Sequence, residues 1–323
     1  MRSTISLAHD YFQLSIFSIT SYKMSKLKTT LCVFFSLTGV SNLAFLVTKA
    51  DGSKQSFSRE KIVQTCLRMG ADSDIANEVA ERIEKRLYEG ITTQLILQLV
   101  FTYMRKYRPA VSHLYDLKQG ISLMDPKPEF ELFIRVLLAH TGFEVTPNQV
   151  LRGKCGEHEV DGIARKDGVT YFVEVKHHSS YHALTGLDES RIAWAVLEDV
   201  TDAFTLGLTD LKIDRAVIVT NTRYSEHAIK YGKCKNLIQI GWTSPEHFGL
   251  REAIEKNKLY PLSCLRGVSV EARLRLVNSG IVLIKQLLDQ DRLTIEKKTG
   301  LSQATVLSII EKARHSANTL WGF

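Results

Sequence analysis

HEVDGIARKDGVTYFVEVKHH, residues 158–178, decides how this chain is read. Asp167-Gly168 is a two-residue hairpin signal with β-rich segments on both sides. If those two residues form the turn, Lys166 pairs with Val169 and the remaining register follows. Asp161 then faces Glu174, with Cβ atoms ~4.5–5.5 Å apart on one face of the hairpin. Lys176 lies two residues beyond Glu174 and shares that face by strand alternation, while Val173 and Val175 point the other way, into a core. Two opposed carboxylates repel and destabilise the sheet. A divalent cation removes that penalty, and hard oxygen donors favour Mg²⁺ or Mn²⁺. A neighbouring amine could orient a water at such an ion or help deprotonate it. Together these groups suit hydrolysis of a phosphodiester.

The flanking sequence extends this pattern. Pro126 and Pro128 mark a linker, and PEFELFIRVLLAHTGFEV reads as an amphipathic helix that stops at Gly142 and gives way to a strand. The D161-x12-E174-V-K176 arrangement resembles the PD-(D/E)xK nucleases, and among them the Mrr-like restriction endonucleases. The later segment RAVIVTNTRYSEHAIKYGKCKNLIQIGW resembles that family's following strand, helix and strand. The resemblance implies a restriction-endonuclease-like α/β/α core with a mixed sheet over residues 126–245. It also implies metal binding by Asp161, Glu174 and the Val175 carbonyl, an extra helical acid at Glu131, and Lys176 as the residue that positions the nucleophile. An exposed hairpin with an ordinary Glu-Lys ladder would share the motif. Glu159 falls opposite Lys176 in this register, so a cross-strand ion pair could compete for the lysine. His177 and His178 read more simply as strand-end histidines than as phosphate contacts. Arg191, at the start of the next helix, reads more simply as solvated.

Upstream, Leu46–Lys49 reads as a short strand, Ala50-Asp51-Gly52-Ser53 as a turn, and Ser58 as the cap of a helix from Arg59 to about Met69. Two further helices are expected over Asp74–Tyr88 and Thr92–Tyr107, the latter with Leu95, Leu99, Val100 and Tyr103 at helical spacing. No GxxxxGK[ST] loop occurs, so a P-loop ATPase is not supported. VTKADGSKQSFSREKI and YEGITTQLI resemble the two signatures of the ATP-cone, a nucleotide-sensing module of ribonucleotide reductases and their repressor. Over residues 46–122 the resemblance implies a small α+β domain, a short strand plus a helical bundle. It would bind ATP or dATP, with Val47 against adenine, Lys49 and Lys61 on phosphates, and hydroxyls from Ser58 and Thr93. Gln55 and Leu97 depart from the family pattern. A degenerate module kept for packing would look the same.

Downstream, residues 262–323 carry nine basic against five acidic residues, whereas residues 126–261 carry seventeen against nineteen. This division suggests that holding a polyanion and acting on it are separate jobs. Gly267-Val268-Ser269 and Gly300-Leu301-Ser302 each precede a helix. The repeat resembles a tandem helix-hairpin-helix region over residues 262–318, an all-α tail. Backbone N–H groups near Gly267, Ser269, Gly300 and Ser302 would hold phosphates of double-stranded DNA, with Arg266, Arg273 and Lys298 adding charge. Domains of this shape also mediate protein contacts, which leaves a homo-oligomer open.

The chain of 323 residues has a net charge of +7 and is 44% hydrophobic, enough for several cores. The five cysteines lie far apart with no CxxC pair, which argues against a zinc site or disulfide framework and for the cytoplasm. No apolar run reaches ~18–20 residues, so no membrane partner is expected. Residues 1–45 are rich in Ser, Thr and Phe, and Lys26 and Lys28 precede the apolar stretch Leu31–Leu37. The segment reads as an extension outside the organised sequence, through a start codon placed too far upstream or a poorly ordered tail, with a signal peptide as the less favoured alternative. The whole is expected to be a multidomain α/β endonuclease responsive to ATP or dATP. The rival reading is a nucleotide-responsive DNA-binding regulator without cleavage.

Overall fold

The computed structural model describes residues 45–321 except 51, 109, 110, 112, 113 and 247, with no account of side chains beyond 317. The expected extension over residues 1–45, Phe45 apart, lies outside the described residues.

At the N-terminal end, β1 (Leu46–Thr48) pairs antiparallel with β2 (Lys54–Ser56). Ser58 caps α1 (Arg59–Arg68) by accepting from the Lys61 amide, Asp72 caps α2 (Ser73–Glu84), and Thr92 caps α3 (Thr93–Tyr107). α2 ends before the expected Tyr88: Lys85, Arg86 and Leu87 bond back into the last turn, and Gly90, at φ +83°, donates to Leu46 O. The chain is thereby returned beside β1. Ile62, Val63, Val79, Ile83, Ile96, Val100 and Met104 close one core over these elements.

A short helix, α4 (Leu117–Ser122), leads to a wide helical turn at Pro126–Phe130 and then to α5 (Glu131–His140). The expected linker at Pro126 and Pro128 is thus a built element, with Glu129 and Phe130 fully buried. The central sheet has the order β3-β4-β5-β7-β9, formed by β3 (Glu144–Arg152), β4 (Glu157–Lys166), β5 (Val169–Lys176), β7 (Arg215–Thr220) and β9 (Ile238–Ile240). The first three strands run antiparallel and the last three pair parallel, giving a mixed sheet. β6 (Leu184–Thr185) and β8 (Arg223–Tyr224) form a separate parallel pair.

Both faces of the central strands β5 and β7 are covered, whereas the edge strand β3 is largely exposed. One face carries Phe133, Ile134, Leu137, Val173 and Val219 under α5 and α8 (Leu250–Asn257). The other carries Ile163, Phe172, Ile218, Leu197 and Ala228 under α6 (Leu187–Thr205) and α7 (Glu226–Cys234). The C-terminal region is helical throughout: α9 (Val270–Asn278), α10 (Ile284–Leu288), α11 (Arg292–Thr299) and α12 (Gln303–Trp321) close over Leu276, Ile284, Ile295, Val306 and Ile309. Leu114 belongs to that core too, and Tyr115 N donates to Cys264 O at 2.8 Å. The segment leaving the N-terminal module is therefore packed against the tail. The fold is multidomain α/β, as the sequence implies. Among the described residues no helix is long and apolar enough to cross a membrane.

Candidate functional site

Asp167 and Gly168 both have positive φ, +51° and +77°, as a tight two-residue turn demands. Lys166 pairs with Val169, and the ladder continues to Gly162 opposite Val173. It ends there, one residue short of Asp161 and Glu174. At that point Asp161 Oδ2 accepts the Val175 amide at 2.7 Å, in place of a bond from strand to strand. The turn thus sets the approach of the two acids, and the Asp161 side chain itself opens the strands at the mouth of the sheet.

The other groups arrive from two helices. Glu131 stands in the first turn of α5, almost fully buried. Lys127, from the preceding turn, places Nζ 3.0 Å from Glu131 Oε1 and 3.3 Å from Asp161 Oδ1. On the other side, Lys176 Nζ lies 3.0 Å from Glu189 Oε1, in the first turn of α6. The expected competition from Glu159 does not occur: Glu159 is exposed on β4 and faces Val150 of β3, because the β4–β5 ladder has ended before it could reach Lys176.

The electrostatics are those of crowded acids. Burial first, then Asp161 and Glu189, push the Glu174 carboxyl up to about 7. Burial also raises Glu131, and its contact with Asp161 adds to this against the pull of Lys127. Hydrogen bonding to Glu131 raises Lys127 in turn. Negative charge is under-compensated here, and an ammonium already sits between two of the acids. That is the environment a hard cation fits, and the available donors are carboxylate oxygens. Among the described residues, no group of three or more His, Cys, Asp or Glu is drawn tightly enough to hold a metal ion as it stands.

Lys127 and Glu189 were not anticipated. Lys127 falls in a stretch that reads as linker, and only its i,i+4 spacing from Glu131 hints at the contact. Glu189 reads as an ordinary helix-start acid. The two histidines after Lys176 face inward. His177 Nε2 donates to the Ile121 carbonyl at 3.0 Å, and its ring tilts against Phe130. His178 Nε2 lies 3.1 Å from Thr185 Oγ1. Burial lowers both. Arg191 reaches Asp188, at 3.5 Å on the surface.

In the N-terminal module a cavity of about 300 Å³ is lined by Val47, Ser58, Lys61 and Thr93, and by the two departures from the family pattern, Gln55 and Leu97. Four of the five expected nucleotide contacts are thus brought together. Lys49 is not among the lining residues; its backbone closes the turn with Gly52 and Ser53.

In the tail, Gly267 and Gly300 have φ of +69° and +66°, and Ser269 and Ser302 cap the helices that follow. The cations expected to add charge are otherwise engaged. Arg266 stacks over the Tyr115 and Phe101 rings, 4.7 and 5.6 Å from their centroids. Arg273 is buried, with Nε 2.7 Å from Glu129 Oε1 and a bond to Leu123 O. Lys298 Nζ donates to Gln290. Arg266 and Arg273 are therefore packing residues in this structure: each is drawn inward by a partner far away in sequence.

Comparison with known proteins places these regions. Residues 45–115 match the ATP cone domain, residues 121–240 a restriction endonuclease domain, and residues 260–315 the AF1548-like C-terminal domain. An uncharacterized protein of Archaeoglobus fulgidus is 33% identical over 178 residues, 55% of this chain and 96% of that protein. A second uncharacterized protein of the same organism is 54% identical over 39 residues, 12% of this chain and 83% of its own. The crystal structure of AF1548, a protein of unknown function, aligns over 64% of this chain and 100% of its own, with 28% identity and a TM-score of 0.52. The chain belongs to the family of the first of these archaeal proteins, and it joins an ATP cone domain to a restriction endonuclease domain and an AF1548-like C-terminal domain.

Proposed function

We propose that the protein is a metal-dependent DNA endonuclease whose activity responds to ATP or dATP. The observation that carries this reading is the meeting of Asp161, Glu174 and Glu131 at the mouth of the sheet, with Lys176 further along the same strand as Glu174. Asp161 has Oδ2 committed to the Val175 amide and would offer its other oxygen to the ion. Glu174 and the Val175 carbonyl would hold the same Mg²⁺ or Mn²⁺, and Glu131 would support it directly or through water. Such an ion, when bound, supplies Lewis acidity at the phosphate and favours deprotonation of the attacking water.

The side chains of this chain do the rest. Glu189 fixes Lys176, whose ammonium then orients the attacking water and balances charge on the phosphate. Lys127 is largely exposed, so its ammonium is free to leave Asp161 and Glu131 and meet the DNA backbone. The helix-hairpin-helix-like tail would hold duplex DNA through backbone amides at Gly267, Ser269 and Ser302, with Lys298 at its edge, without reading sequence; the Gly300 amide, expected to join them, instead donates to Glu296 O at 2.8 Å and closes α11. Val47, Ser58, Lys61 and Thr93 would receive the adenine nucleotide. The free thiols Cys66, Cys155, Cys234 and Cys264 suit a cytoplasmic protein.

One observation favours the rival, a nucleotide-responsive DNA-binding regulator: among the described residues the acids are not gathered into a ready metal cage. Incubation of the purified protein with plasmid, in Mg²⁺ or EDTA and with or without ATP, decides between them. The endonuclease converts supercoiled plasmid to nicked or linear forms in Mg²⁺ alone, at a rate that ATP changes. A regulator shifts the plasmid in a gel and cuts it under none of these conditions.

A further inference from the structure

The cavity in the N-terminal module is not closed by that module alone. Asp116 and Lys118, at the start of α4, and Tyr181 and His182, from the loop between β5 and β6, complete its lining. This is the loop that begins directly after Lys176. The Tyr181 and His182 rings meet at a tilt of 42° with centroids 4.2 Å apart, giving the cavity an aromatic wall. Lys118 Nζ lies 5.8 Å from the Tyr181 centroid and 5.8 Å from that of Trp242. Asp116 Oδ1 accepts the Lys118 amide at 3.1 Å. Burial and the nearby Arg223 lower Lys118, so an anion in the cavity would relieve it.

The same segment is tied to the candidate nuclease site. His177, the neighbour of Lys176, donates to the carbonyl of Ile121 on α4, the helix that carries Lys118. His178 N donates to Asn221 Oδ1, and Asn221 Nδ2 returns a bond to His178 O. The loop is therefore pinned at its start, and the cavity wall follows within a few residues.

We propose that the nucleotide site is shared between domains: Lys118 contacts a phosphate of the bound adenine nucleotide and Tyr181 packs on it, so occupancy orders the loop that starts at Lys176. The inference rests on the reading that the ATP cone of this chain binds a nucleotide. It adds two contacts to that site and a physical route from it to the lysine. Coupling of this kind is reciprocal, so whatever fixes Lys176 also tightens nucleotide binding.

Two measurements on the full-length protein test it. In the first, ATP and dATP are titrated by calorimetry into wild type, Lys118→Met and Tyr181→Ala. Each substitution should weaken the better-bound nucleotide about tenfold, as loss of one charge-assisted or aromatic contact does. In the second, amide hydrogen exchange is followed on the wild type with and without saturating nucleotide, and exchange over residues 177–183 should slow severalfold. Should wild type bind ATP while both variants match it, the shared site is wrong and the ATP-cone reading stands. Should a variant fail to fold, exchange decides: protection confined to residues 46–107 overturns the proposal. Failure of the wild type to bind either nucleotide overturns both readings.

Discussion

The mouth of the sheet and the C-terminal tail are both dense in charge, yet they treat it oppositely. At the mouth, acids are crowded together: Glu131 is buried and Glu174 half-buried beside Asp161, and Lys127 reaches in from the rim. In the tail, basic groups are shared out. Arg273 is locked to Glu129, Arg266 lies on two aromatic rings, Arg275 reaches Glu271 and the Gly300 carbonyl, and Lys312 donates to the Gly267 carbonyl. Charge is available to a ligand where the fold leaves it uncompensated. A count of lysines and arginines cannot reveal that, because it omits the internal partners.

The contrast can be broken first at the mouth. Replacing Glu174 by Gln, or Lys176 by Ala, should reduce plasmid cleavage about a thousandfold or more, the scale expected when a transition-state charge contact or a metal ligand is lost. The check is a single-turnover cleavage rate at saturating Mg²⁺. A variant that cuts within a few-fold of wild type would show that the crowded acids are only a strained corner of the sheet.

The next largest effect belongs to the tail. Arg273→Ala leaves Glu129 buried without its ion-pair partner and should cost about 3–5 kcal/mol of stability in denaturant unfolding. If Arg273 instead served DNA, the variant would keep its stability and lose salt-dependent DNA affinity. A double variant, Glu129→Gln with Arg273→Met, should recover part of the loss.

A third prediction concerns pH in cation-free protein. Glu174 is raised to about 7 from the ordinary carboxylate value of 4.5, so the folded state binds more protons than the unfolded state between those values. Stability therefore falls as pH rises from about 4.5 through 7, by an amount on the order of 1–3 kcal/mol. Glu174→Gln should flatten that slope, and Mg²⁺ should remove it in the wild type by favouring the ionised form. Thermal unfolding at pH 5.5 and 8, with EDTA and with Mg²⁺, checks both.

The smallest effect is expected at Lys298. Its bond to Gln290 is exposed, so Lys298→Ala should change stability by no more than about 0.5 kcal/mol. It should reduce the slope of log affinity for DNA against log salt by about 1 if the tail holds phosphate. An unchanged slope would assign the tail to packing alone.

These cases also show what was legible in the sequence. The hairpin was, because an Asp-Gly turn fixes the register locally and side chains alternate with a period of two. The cap at Ser58 was similarly local, since it bonds an amide three residues on. The inference stops where distant contacts take over. Arg273 bonds Leu123 across a separation of 150 residues, and nothing near either residue announces it. The stacking of Arg266 on Phe101 and the arrival of Glu189 at Lys176 are of the same kind. The Lys127 contact is hidden for a different reason: a proline-flanked stretch reads as linker, whereas it packs Glu129 and Phe130 into the interior.

The central claim is tested most directly at Asp161, by measuring cleavage and binding of the same duplex DNA by wild type and Asp161→Asn side by side in Mg²⁺. The account predicts that the wild type cuts, while the variant binds with near wild-type affinity and does not cut. Equal cleavage by both proteins, or binding without cleavage by the wild type, would contradict it.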